Sequence, residues 1–163
     1  MTTWMRLGVV FIVALVVQLT VFVDVRVAGV APELLALVAI TAGFFVGPER
    51  GPVIAFAAGL LWDIYLPTPL GISAITFAVV AFAVGSLNEG LFHDTRSQLV
   101  LVAGVASGSA VIGYALFGFV VGESGLIDVD LVPMALLVGL MNAVLSPLVA
   151  PLMAWAFAGE GQR

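Results

Sequence analysis

The chain has 163 residues, room for one domain, and 63% of them are hydrophobic against 9% charged, with a mean hydropathy of +1.25. Soluble domains carry roughly 25% charged residues, so five basic and ten acidic side chains cannot clothe a water-exposed exterior here. The net charge of −5 excludes a nucleic-acid partner, and the absence of cysteine excludes disulfides, thiolate chemistry and cysteine-ligated metal. What remains is an all-α membrane protein, a compact single-domain bundle of about six transmembrane helices surrounded by lipid.

Six apolar stretches run roughly Leu7–Val23, Leu34–Gly47, Gly51–Leu66, Leu70–Leu87, Gln98–Val121 and Leu131–Ala158. A crossing of the hydrocarbon core needs about 20 residues, which suits the first, fourth, fifth and sixth. The second and third are short and joined by Gly47-Pro48-Glu49-Arg50-Gly51, a tight turn at membrane depth or the tip of a re-entrant segment. Arg6 ahead of the first run resembles a signal peptide, but the apolar stretch is too long for one and further spans follow, so it reads as a retained helix. With the N-terminus inside, Arg6, Arg50, Arg96 and Arg163 fall on the cytoplasmic side and only Arg26 outside. That asymmetry predicts an N-in, C-in topology, with the acidic segment Glu123–Asp130 outside.

Small residues crowd the fifth span, where Gly104 and Gly108 are one turn apart. Such spacing lets backbones approach closely and gain the van der Waals contact that drives association in lipid, within the bundle or with a foreign helix. Pro147 and Pro151 in the sixth span each remove an amide donor and predict a bend. His93, the only histidine, lies in the loop before Arg96 beside Asp94, and Asp128 and Asp130 lie in the outer loop; all read as solvated. No metal site, cofactor motif or catalytic constellation is found, so an enzyme is not expected.

Three polar residues interrupt the spans. Gln18 and Asn142 are expected to hydrogen-bond between helices. Asp63, near the outer end of the third span, is ionisable and hence a functional hypothesis by default. The following Tyr65-Leu66-Pro67-Thr68-Pro69-Leu70-Gly71 turns directly into the fourth span, with Thr68 suited to an N-cap and Pro69 to the first helical position. A chain reversal there would bring Asp63 to free amides around Leu70–Gly71, fastening the third span to the fourth; contact with a ligand or partner is the other reading.

Gly59-Leu60-Leu61-Trp62-Asp63-Ile64 followed by Pro69-Leu70-Gly71-Ile72-Ser73-Ala74 resembles the signature region of the MreD family of rod shape-determining membrane proteins. The turn Gly47–Gly51 and the segment Ala81–Leu87 are similar to their counterparts in the family, so the resemblance is clearest over Leu34–Glu89. One departure is the loop after Leu87, where Glu89 and Asp94 accompany a single arginine and relatives often have several basic residues. The resemblance implies a non-enzymatic component of bacterial cell elongation in the cytoplasmic membrane. Its implied partners are the single-span scaffold MreC and, within the peptidoglycan-synthesising complex, RodA, a class B penicillin-binding transpeptidase and MreB. On the same ground Gly59, Trp62, Asp63, Pro69 and Gly71 are the motif residues. In architecture the family also resembles the substrate-binding S-components of vitamin-uptake (ECF-type) transporters, which gives the alternative of a small-molecule-binding subunit. Trp62, Asp63, Tyr65, Gln18 and Tyr114 would be its polar and aromatic candidates.

Overall fold

In the computed structural model the chain is helical: α1 (Thr3–Thr20), α2 (Leu34–Asp63), α3 (Ile72–Leu91), α4 (Arg96–Val121) and α5 (Leu131–Phe157), with a single 3₁₀ turn at Ser124–Leu126. The structure describes residues 2–22, 24–91, 96–127 and 130–158; His93, Asp94, Asp128, Arg163 and the side chains of Glu89 and Arg96 lie outside that description. Among the described residues α1, α2, α4 and α5 are long and apolar enough to cross a membrane, and α3 has a shorter apolar stretch, Ile72–Asn88.

The expected second and third spans are two arms of α2. At Gly47 the backbone takes φ 76° and ψ −175°, a region open essentially to glycine. The chain reverses there, because a Cβ added to Gly51 would fall 2.6 Å from the Cα of Gly43, eight residues back. In a straight helix those residues would lie about 12 Å apart. Pro48 follows at the first position of the second arm, where a missing amide costs least. The Phe44 carbonyl lies in the last turn before that reversal, where helical donors run out, and Asn88 Nδ2 of α3 donates to it at 2.9 Å.

α3 lies along both arms at backbone contact. A Cβ on Gly43 would strike the Ala81 carbonyl, one on Gly59 the Cα of Ala74, and one on Gly85 would come within 2.6 Å of Gly47 and Pro48. The first arm is the most deeply enclosed element, with every residue from Leu34 to Phe44 buried. Leu35, Leu37, Val38 and Ile40 fill the centre, and α1 covers it with Leu7, Val10, Ala14 and Leu15.

Several boundaries differ from expectation. The third span stops at Asp63 and the fourth begins at Ile72, so Thr68 is not its N-cap and Pro69, exposed, is not its first residue. α5 runs as one helix through Pro147 and Pro151. Pro147 would have bonded the Ala143 carbonyl, and the Ser146 hydroxyl donates to that carbonyl instead at 2.8 Å.

Candidate functional site

Asp63 is the last residue of α2 and is buried to 1% exposure, although it follows a helix of apolar side chains. Its carboxylate accepts three backbone N–H bonds from the start of α3: Gly71 to Oδ2 at 2.7 Å, Ser73 to Oδ1 at 3.1 Å and Ala74 to Oδ2 at 3.3 Å. The first amides of a helix have no internal acceptor and carry partial positive charge. Gly71, at the cap position with φ 107°, has no side chain to serve them. Asp63 therefore caps α3 from another helix, its two carboxyl oxygens meeting three donors. Gly59 lies one turn earlier on the same face of α2 and lets Ser73 and Ala74 approach closely enough for those bonds. Trp62, half-buried, packs onto the central cluster. Thr68 serves a different contact, its hydroxyl 2.6 Å from that of Tyr114 on α4.

A second polar assembly surrounds the start of α2. Among Val30-Ala31-Pro32-Glu33 there is no Ser, Thr, Asp or Asn to cap that helix, and Glu33 makes no capping bond. Two amide side chains from distant helices do the work. Gln18 of α1 accepts from the Leu34 amide at 2.7 Å and donates to the Pro32 carbonyl at 2.9 Å. Asn142 of α5 accepts from the Glu33 amide at 3.2 Å and donates to the Glu33 carbonyl at 3.0 Å and the Ser107 hydroxyl at 2.9 Å. The segment before α2 is turned inward by a reversal at Ala28-Gly29, both at positive φ, closed by paired bonds between Val27 and Val30. The sequence reading found the two amides but not their target, for which the uncapped start of α2 was the available signal.

The third feature is the seam of α4 with α5. A Cβ on Gly139 would sit 2.6 Å from the Gly104 carbonyl, one on Gly108 3.0 Å from the Ala135 carbonyl, and one on Gly104 3.2 Å from the Ala143 methyl. Gly104 and Gly108 thus face a helix of their own chain.

A family model for the rod shape-determining protein MreD matches residues 1–155, nearly the whole chain. The chain belongs to the MreD family. No curated protein and no solved structure matches it. As an MreD-family chain it is a membrane component of the rod-shape system. Gly59, Asp63 and Gly71 create one capped junction between α2 and α3, with Trp62 packed beside it, while Pro69 belongs to the exposed linker.

Proposed function

We propose that this chain is a non-catalytic, multi-pass scaffold of the bacterial cytoplasmic membrane that binds MreC and, through it, joins RodA, a class B penicillin-binding transpeptidase and MreB in side-wall peptidoglycan synthesis. The observation that carries this reading is the family match over residues 1–155. In this reading the two arms of α2 are separate crossings, which with the other four helices makes six, and both termini face the cytoplasm. The chemistry agrees with a scaffold. The buried polar side chains Gln18, Asp63 and Asn142 are occupied by the chain's own backbone, and the outward faces are apolar, as at Leu101, Val105 and Leu116 of α4. Recognition of another membrane protein then rests on side-chain packing in lipid.

The small-molecule alternative gains no support from the described residues. Of its candidates, Gln18 and Asp63 are engaged internally, Tyr114 meets Thr68, and Tyr65 is exposed. Recovery of the tagged chain from native membranes, with photo-crosslinkers at Val105 and Val79, tests the proposal. Capture of a single-span MreC is the expected result. Recovery of ATPase subunits with a bound small molecule, and no MreC, would replace it with the transporter reading.

A further inference from the structure

A groove of about 280 Å³ lies between α1 and α5 and has no place in the scaffold reading above. Its walls are Val10, Val13, Ala14 and Val17 of α1 and Leu148 and Leu152 of α5, with no charged side chain among its lining. Val13 and Leu148 are 49% and 67% exposed, so the groove opens to the surroundings of the bundle rather than to its core. Trp155 closes one end. That end is marked as a membrane interface by Trp155 and the exposed Trp4, since tryptophan collects at headgroup level.

At the same end stands Arg6. Its Nη1 donates to the Trp155 carbonyl at 3.0 Å, and the guanidinium lies 5.2 Å from the centre of the Trp155 ring. Its Nε is buried and has no hydrogen-bond partner among the described residues. Arg6 also sits in the first turn of α1, where the helix dipole adds positive potential to its charge. An apolar trough about 12 Å long, from Val9 to Val17, therefore ends beside a half-buried cation at headgroup depth.

We propose that this groove is a binding site for one anionic phospholipid of the leaflet on the Arg6 side, an acyl chain lying between α1 and α5 and the phosphate paired with Arg6. Guanidinium is the side chain best matched to phosphate, and Arg6 is half-buried with its Nη1 at an exposed contact, so its outer edge can meet a headgroup. A hydrocarbon chain satisfies apolar walls that offer nothing to a polar partner. A second transmembrane helix with an apolar face would leave the Arg6 charge unanswered.

The test uses the full chain purified in detergent and challenged with palmitoyl-oleoyl phosphatidylglycerol or with phosphatidylcholine of the same chains, retained lipid being read by native mass spectrometry. Phosphatidylglycerol should be retained about fivefold over phosphatidylcholine, the scale of one basic side chain at an anionic headgroup. Arg6→Gln should abolish that preference and Arg6→Lys should keep part of it. Val13→Phe, at an exposed position on the groove wall, should lower retention of both lipids without touching Arg6. Equal retention of the two lipids by the native chain, or a preference unchanged in Arg6→Gln, overturns the proposal. So does a Val13→Phe variant that retains both lipids but loses a co-purifying membrane protein, which would make the groove a helix-docking face.

Discussion

Replacing Asp63 tests the junction between α2 and α3 most directly. In Asp63→Leu the carboxylate is lost, and the amides of Gly71, Ser73 and Ala74 keep their positions with no acceptor, because Gly71 offers no cap. Hydrogen bonds to a charged group contribute about 1.5–3 kcal/mol each, and an orphaned buried donor costs about 1–3 kcal/mol. The three bonds share one carboxylate and cannot be summed, and the replacement leaves neutral amides rather than a stranded charge, so the expected loss is about 1–3 kcal/mol. Asp63→Asn keeps one oxygen acceptor but turns an NH₂ toward at least one amide, for a loss of about 1–2 kcal/mol. Reversible unfolding of purified protein in mixed micelles, followed by circular dichroism, measures both variants. Amide hydrogen exchange at Ser73 and Ala74 should rise sharply in Asp63→Leu and modestly in Asp63→Asn. If Asp63→Leu unfolds within about 1 kcal/mol of the native chain, with those amides still protected, the carboxylate does not hold the junction.

Other outcomes follow from the glycines and the charge distribution. Gly47→Ala places a side chain on a backbone essentially reserved for glycine and should cost about 1–3 kcal/mol, read in the same unfolding assay. Gly104→Leu combined with Gly108→Leu drives side chains into the α5 backbone and should destabilise by at least 1–3 kcal/mol, the usual range for overpacking; native-like stability would mean that α4 and α5 can part without loss. Cysteines introduced at Gly125 and at Glu49 should be labelled by an impermeant reagent from outside and only after permeabilisation, respectively; the reverse pattern would invert the topology.

The helical, membrane-embedded class was legible because composition admits little else, and the Asp63 region because an acid, a Pro-Thr-Pro linker and a glycine follow one another closely in sequence. Local rules misplaced the start of α3. Thr68-Pro69 is a good cap in isolation, yet Asp63 supplies a charged acceptor for amides farther along, and the helix begins where those amides are. The two arms of α2 read as short spans for a reason invisible in hydropathy: the chain before Leu34 is already inside the bundle, held there by Gln18 and Asn142. Side-chain relief of open carbonyls, Asn88 at Phe44 and Ser146 at Ala143, joins residues through geometry that no spacing rule reports.

Two pairs of elements touch backbone to backbone, α2 with α3 through Gly43, Gly59 and Gly85, and α4 with α5 through Gly104, Gly108 and Gly139. Asn142 joins them, since it hydrogen-bonds both the backbone before α2 and Ser107 of α4 while standing on α5. Asn142→Leu removes three hydrogen bonds and leaves the Glu33 amide unpaired, while the Glu33 carbonyl keeps the Leu37 amide, for an expected loss of about 1–3 kcal/mol. Gln18→Leu strips the adjoining pair at Pro32 and Leu34 and should cost about 1–3 kcal/mol. Because both side chains hold one short stretch of backbone, the first loss should weaken what the second can still hold. The double variant should then fall short of the sum of the two by about 0.5 kcal/mol or more, the scale at which shared networks depart from additivity. Strict additivity, with α2 amides equally protected in either single variant, would show two independent attachments, and Asn142 would not be the joint between the pairs.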